Sequence, residues 1–163
     1  MRKTSFSEFF PDRYRMKLEA ARDIPGIFEV VKQATQEQMG FTRSGLTLGL
    51  VELDASQGMF IGALHPFGTN MIVLNRLPLR RVRGSFPQLC KSYVFHVLVH
   101  EYLHTVGIWD EKETQERVLA ITKPLFGDDH PVTRLAEEIA QLLPFIAYPT
   151  QMRLPDDVEI QQL

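Results

Sequence analysis

Three histidines and one glutamate stand at helical spacing in an otherwise apolar stretch, VFHVLVHEYLHTVGIWDEKE (residues 94–113). His100 and His104 are four residues apart, so on a helix they lie one above the other on the same face. Two imidazole nitrogens placed in this way can bind one metal ion. Glu101 is displaced by one residue, which puts its carboxylate beside the ion, where a general base takes a proton from water. The pattern predicts a zinc site at His100 and His104, with Glu101 as the base.

The alternative is a buried helix that carries these residues by coincidence, and a chance match to H-E-x-x-H is expected in about one such sequence in a hundred. The context favours the metal site, because the motif lies on a predicted helix, after predicted strands, with a glycine and acids following it. His96 shares the same face one turn earlier. Three ligands in a row along one helix cannot surround an ion tetrahedrally. We therefore expect His96 to pack in the core or to support a ligand from behind.

The segment HEYLHTVGIWD, residues 100–110, resembles the zincin metallopeptidases. Its H-E-x-x-H-x-x-G-x-x-D form is similar to metzincins in which the third zinc ligand is an aspartate. In those enzymes the glycine permits a sharp turn, and the residue three positions later returns to the metal. The resemblance implies that Zn²⁺ is bound by His100, His104 and Asp110, and that Glu101 is the catalytic base.

A departure from the metzincin pattern leaves the third ligand open. The segment DEKETQERV, residues 110–118, is predicted to begin a helix at once, with Asp110 as N-cap and Glu113 completing a capping box. In gluzincins and in small archaeal-type minimal zincins (minigluzincins), a glutamate on the following helix binds zinc. Glu111 or Glu116 would take that role here. We expect Asp110 first, then Glu111 and then Glu116, and Asp110 as a mere N-cap is the remaining interpretation.

The composition is that of an ordinary globular domain. The chain has 163 residues, of which 44% are hydrophobic and 23% charged, and a formal net charge of −2. These values suit a single core and give no argument for binding nucleic acid or an anionic membrane. The sequence shows no membrane span and no signal peptide, and its single cysteine, Cys90, fits a reducing compartment. We expect one soluble, cytoplasmic domain, residues 1–163.

The elements around the motif predict an α+β domain. In chain order we expect an N-terminal arm (1–12), a short helix, a helix from about Pro25 to Gly40, three strands in LTLGLVEL, GMFIGAL and NMIVLN, a basic loop in RLPLRRVRGSFP, the motif helix from Pro87 to about Val106, two further helices, and an extended tail (147–163). The fold expected from this order is a small zincin-like domain, with a three-stranded sheet packed on the helix that carries HExxH.

Zincins place an edge strand above the cleft, and GTNMIVLNR, residues 68–76, is the candidate for it. Metzincins also carry a methionine turn beneath the metal, for which Met152 is the candidate. His65 could stabilise an oxyanion at the cleft, although a histidine in a surface turn is the simpler interpretation. The sequence does not choose among three tyrosines that could act as oxyanion donors: Tyr93, Tyr102 and Tyr148.

Together these features predict a small zinc-dependent peptidase that acts on a peptide or protein substrate. An extended peptide would add to the sheet edge, and Glu101 would pass a proton from water to the leaving amine. The alternative is a non-catalytic or latent zinc-binding scaffold, with Asp156 and Asp157 of the tail reaching the metal in the latent form. The enzyme is favoured because a structural zinc site is usually closed by four protein ligands, often cysteines. The sequence gives no signal for the oligomeric state.

Overall fold

The computed structural model describes residues 12–148 and 153–163, in which helices pack around a small mixed sheet. The helices are α1 (Arg13–Ala20), α2 (Ile24–Met39), α3 (Arg76–Ser85), α4 (Cys90–Thr105), α5 (Glu111–Phe126) and α6 (Pro131–Leu142). The strands are β1 (Thr47–Val51), β2 (Phe60–Ile61), β3 (Ala63–Leu64), β4 (Met71–Asn75), β5 (Ile146–Ala147) and β6 (Gln161–Gln162). The predicted α+β class is confirmed. The predicted N-terminal arm lies, apart from Asp12, outside the described residues.

The main sheet has four strands in the order β3-β4-β1-β6, and not the three strands predicted. β1 and β4 are parallel, and β3 and β6 run antiparallel to their neighbours at the two edges. The expectation that residues 68–76 form the edge strand is wrong, because β4 has a partner on each side. Its residues Ile72 to Asn75 are all buried, as is usual for a central strand. The edge position next to β4 belongs to the two-residue strand β3.

The tail predicted as extended contributes to both sheets. β5 pairs in parallel with β2 in a separate two-stranded sheet, and β6 pairs with β1. Gly49 permits the second pairing, because a Cβ atom there would lie 2.7 Å from the Ile160 Cγ2 atom. Met152, the candidate for a methionine turn, lies outside the described residues.

The predicted basic loop RLPLRRVRGSFP is largely a helix, α3. The Asn75 side chain caps it by accepting a hydrogen bond from the Leu77 N–H at 3.2 Å. Pro78 is tolerated because it falls in the first turn, where its missing N–H has no helical partner. Leu79 and Val82 are buried, so this helix is held by packing rather than by propensity.

The motif helix α4 lies at the centre of the molecule. Every residue from Ser92 to Thr105 is buried, and the helix contacts α2, α5 and α6 as well as β3 and β4. A helix that is buried all round is normally apolar all round. Buried polar groups on such a helix need a partner or a ligand, because leaving them unpaired is costly. No helix within residues 12–148 and 153–163 is both long and apolar enough to cross a membrane.

Candidate metal centre

The last two turns of α4 bring His100, Glu101 and His104 together in the core. Their exposed fractions are only 0%, 2% and 6%. One potential ligand atom from each residue lies within 4.8 Å of those of the other two. The two imidazole rings are nearly perpendicular, with centroids 4.8 Å apart. These three residues can therefore hold a metal ion, and this much of the predicted site is found in the structure.

A tight turn after α4 brings α5 back to the two histidines. Gly107 adopts a left-handed conformation, with φ of 98°, which glycine enters without a steric penalty. The Ile108 N–H donates to the Leu103 carbonyl at 3.1 Å. Asp110 then caps α5, because its Oδ1 atom accepts a hydrogen bond from the Glu113 N–H at 2.8 Å. The first residue of α5 is consequently Glu111.

The carboxylate of Glu111 faces both imidazoles. Its Oε2 atom lies 2.9 Å from His100 Nε2, and its Oε1 atom lies 3.1 Å from His104 Nε2. Two ligand atoms about 2.0–2.1 Å from a tetrahedral zinc ion are about 3.3 Å apart. The observed separations are close to that value. In the described part of the chain, His100 Nε2 and Glu111 Oε2 have no hydrogen-bond partner of good geometry.

The protonation of His104 supports a cation at this point. Its Nδ1 atom lies 2.7 Å from the Ile108 carbonyl oxygen. A carbonyl only accepts hydrogen bonds, so Nδ1 carries a proton, and in the neutral ring the lone pair of Nε2 faces Glu111. A lone pair and a carboxylate oxygen repel each other unless a cation or proton lies between them. Metal-binding histidines usually have this same N–H to carbonyl support on the far nitrogen. The donor set thus fits a divalent metal ion.

Glu101 lies beside these groups and is held from β3. The backbone of His65, the residue that follows β3, lies next to its carboxylate and acts to lower its pKa. Burial, and next the negative charge of Glu111, raise the pKa of Glu101 well above its ordinary value. A bound cation would oppose this shift, because it favours the charged form. A buried carboxyl whose pKa is strongly raised can take up a proton, and such groups are concentrated at functional sites.

An aromatic ring covers each of the two imidazoles. The Tyr148 ring stacks on His100, with centroids 4.1 Å apart and planes at 9°. The Trp109 ring stacks on His104, with centroids 5.6 Å apart and planes at 6°. Trp109 is 46% exposed, so it lies where the site meets solvent. Neither stack was expected from the sequence, although Trp109 stands next to a predicted ligand.

His96 supports this arrangement and does not join the ligand group. Its Nε2 atom is hydrogen-bonded to the Tyr148 hydroxyl, so His96 contacts the ring that covers His100. Burial, and next the neighbouring His100, lower the pKa of His96 to about 3. His96 is therefore neutral at physiological pH and adds no positive charge beside the site.

The other candidates are placed as follows. Asp110, the first choice for the third ligand, uses its side chain to cap α5, and Glu116 is exposed on that helix. His65 stacks on Trp109, and its Nδ1 atom lies 2.7 Å from the Met71 carbonyl. The Tyr102 hydroxyl accepts a hydrogen bond from the Arg43 N–H at 2.8 Å.

The tail acids face a different part of the surface. Asp157 lines a groove together with Arg76 and Glu52, beside the β1 edge of the sheet. That groove contains none of the metal-site residues. The described tail therefore gives no support to a latent form in which its acids reach the metal.

Comparisons with known proteins add no identification. A scan against protein-family models, a search of curated proteins and a search of solved structures each found no match to this chain. The function has to be inferred from the chemistry of the site.

Proposed function

We propose that this protein is a zinc-dependent peptidase in which His100, His104 and Glu111 hold the ion and Glu101 is the general base. The observation that carries the proposal is the position of the Glu111 carboxylate, which faces one Nε2 atom of each histidine at 2.9 and 3.1 Å. Three protein ligands leave one position of a tetrahedral zinc ion for water or substrate, which is the arrangement of catalytic sites.

The proposal takes Glu111 as the third ligand in place of Asp110. The two residues are neighbours in sequence, but α5 begins between them. As N-cap, Asp110 directs its side chain to the Glu113 N–H, whereas Glu111 on the first helical turn is directed back to α4. In this respect the site is more similar to the minigluzincin pattern than to the metzincin one.

When bound, a zinc ion supplies Lewis acidity, which lowers the pKa of water and polarises a carbonyl oxygen. Glu101 then takes a proton from water and delivers it to the leaving amine. The backbone of His65 lies next to the Glu101 carboxylate and favours its charged form. His104 keeps the correct tautomer through its hydrogen bond to the Ile108 carbonyl. Tyr148 and Trp109 shield the two imidazoles on their faces.

Within the described residues, β3 has no strand partner on the side away from β4, and this side is well placed to hold an extended peptide. The Gly62 carbonyl accepts the Asn75 N–H, so Gly62 directs its backbone groups towards β4. Backbone groups alternate in direction along a strand, so those of Ala63 and His65 point away from β4. The backbone of His65, on that side, interacts with the Glu101 carboxylate and acts to lower its pKa. A peptide added at this edge would therefore pass beside Glu101.

The substitution Glu101→Gln tests the proposal. Gln is nearly isosteric and cannot accept the proton, so the variant should keep about one zinc per chain and lose about 10²–10⁴-fold in peptide hydrolysis. Zinc content is measured by elemental analysis and hydrolysis with a fluorogenic peptide library. Glu116→Gln, an exposed acid on α5, is the matched control and should change neither. Wild-type protein without zinc, or equal cleavage by the Glu101→Gln variant, would refute the mechanism.

A closed, non-catalytic zinc site is the second candidate. It is favoured by the grouping of Glu101 with the two histidines within 4.8 Å, which would let Glu101 serve as a fourth ligand. The same variant separates the two functions. A closed site predicts that Glu101→Gln weakens zinc binding and that the wild-type protein cleaves no peptide.

A further inference from the structure

A cavity of about 240 Å³ lies beside the candidate metal centre. His96, His100 and Tyr148 form part of its wall, and the remainder comes from α5 and α6. Pockets for drug-sized ligands usually measure about 300–1,000 Å³. This cavity is smaller and suits a single long side chain next to the reacting bond.

The wall formed by α6 departs from a regular helix. All six residues from 136 to 141 line the cavity. A regular helix would present only some of six consecutive residues to one side. The backbone of Glu138 is non-helical, with φ of −146° and ψ of 39°, which kinks α6 at this point. The cavity is therefore built by a specific break in the helix.

The lining of the cavity combines apolar and hydrogen-bond-accepting groups. Val118 and Ile139 supply apolar surface, and no lysine or arginine is among the lining residues. The polar groups that α5 and α6 supply are two carboxylates and two amides: Glu137, Glu138, Gln115 and Gln141. Glu138 already accepts a hydrogen bond from Arg134 Nε at 2.8 Å, and Glu137 is exposed next to it. Glu138 is thus ion-paired with Arg134, and Glu137 adds a second carboxylate to the lining.

His96 provides a second and independent observation. Its ring lines the cavity and is only 3% exposed. Its Nδ1 atom has no hydrogen-bond partner in the described part of the chain, although Nε2 is bonded to Tyr148. A buried polar atom without a partner is costly, and in the tautomer in which Nε2–H donates to Tyr148 a hydrogen bond from a ligand to Nδ1 would remove that cost.

We propose that this cavity is the subsite for a basic side chain, lysine or arginine, of the peptide substrate. The inference rests on the proposed function, because His100 both lines the cavity and belongs to the proposed zinc site. The aliphatic stem of the basic residue packs against Val118 and Ile139. Its cationic head donates hydrogen bonds to the carboxylates of Glu137 and Glu138.

Cleavage of matched peptides tests the selectivity. The peptides differ at one position next to the scissile bond, which carries lysine, arginine, norleucine or glutamate. Wild-type protein loaded with zinc should give a kcat/KM about tenfold higher for the basic peptides than for norleucine. The double variant Glu137→Gln, Glu138→Gln should reduce this preference to about twofold. Glu29→Gln removes a paired surface carboxylate on α2 and is the control, which should keep the preference.

A binding measurement separates this proposal from the proposed function. The probes are n-butylguanidinium and its neutral analogue n-butylurea, titrated into the protein while the side-chain amide NMR signals of Gln115 and Gln141 are followed. The cation should shift both signals and the urea should not, and the double variant should lose the response.

Together, the two experiments can refute the peptidase and the basic subsite independently of each other. Cleavage without basic preference, with no response to the cation, would overturn the subsite and leave the peptidase standing. A selective response to the cation in a protein that cleaves nothing would support the subsite and refute the peptidase. Absence of both would overturn both.

Discussion

His100 and His104 stand one turn apart on the same helix, yet the protein holds the two rings by different means. His104 is held locally: its Nδ1–H donates to Ile108, four residues later, and Trp109 stacks on its face. Among the described residues His100 Nδ1 has no hydrogen-bond partner, and the ring is instead covered by Tyr148, which comes from the C-terminal part of the chain. One half of the site is thus contained in a short stretch of sequence, and the other depends on the tertiary fold.

The largest expected effect concerns Glu111, the residue that joins the two halves. Because its carboxylate faces both imidazoles, Glu111→Ala should weaken zinc binding by about 100-fold or more. Asp110→Asn should leave zinc affinity nearly unchanged, since asparagine remains a good N-cap. Affinities are measured by competition with a chromogenic chelator. If Asp110→Asn loses zinc and Glu111→Ala retains it, the third ligand is Asp110, and Glu111 does not join the two halves of the site.

The second effect compares the two covering rings. Tyr148→Leu should weaken zinc binding by about tenfold, because stacking is what the structure shows orienting His100. Trp109→Leu should cost no more than about threefold, since the Ile108 carbonyl still fixes His104. Tyr14→Phe is the control: it removes a hydrogen bond from a buried tyrosine that bonds to Glu37 and is outside the site. Equal losses of zinc affinity in Tyr148→Leu and Trp109→Leu would contradict the inference that His100 depends on its covering ring more than His104 does.

The smallest effect concerns His130, a histidine outside the site, and shows how an imidazole without a metal role behaves. Its Nδ1 atom accepts the Val132 N–H at 3.1 Å at the start of α6. Burial, and next the Arg15 cation, lower the pKa of His130 to about 4. The unfolded state therefore binds a proton first as the pH falls, and this stabilising contribution is complete above about pH 6.5 and is lost towards pH 4.

The substitution His130→Asn tests that assignment, because asparagine caps the helix without titrating. Metal-free wild type should lose about 1 kcal/mol more than the variant between pH 6.5 and 4, the partly exposed ring reducing the full effect. Urea unfolding at a series of pH values measures the difference. Parallel stability curves for the two proteins would show that His130 does not contribute.

The parts of the structure that sequence patterns predicted are those controlled by local interactions. The helix ending at Gly40, the motif helix and the N-cap at Asp110 all follow from spacing and capping. The third metal ligand is harder to predict from the sequence, because Asp110 and Glu111 are adjacent acids. Asp110 caps α5, whereas Glu111 is the first residue of the helix and faces the histidines. Both acids are visible in the sequence, and only the geometry of the first turn of α5 shows which one faces the histidines.

The features that sequence patterns missed depend on distant partners. The sequence pattern predicts a loop where α3 forms, because the arginines of this segment mask the apolar Leu79 and Val82, which are buried in the structure. β6 consists of two exposed glutamines, and it is placed by pairing with β1 and by a hydrogen bond from Arg76 to the Gln161 side chain. The sequence does not distinguish Tyr148 from the two other tyrosines that could act as oxyanion donors, and only the fold shows that its ring stacks on His100. Contacts of this kind have no periodic signature in the sequence.

The pairing of β6 with β1 also has a consequence for handling the protein. An uncovered strand edge offers free backbone N–H and C=O groups to another chain and promotes aggregation. Gly49 lets the tail lie close against that edge, with Ile160 in the space where a side chain would otherwise stand. A variant shortened before residue 153 would therefore lack the strand that covers the β1 edge, and we expect it to self-associate more readily. Its precipitation would reflect the bare edge of β1 and would reveal nothing about the zinc site.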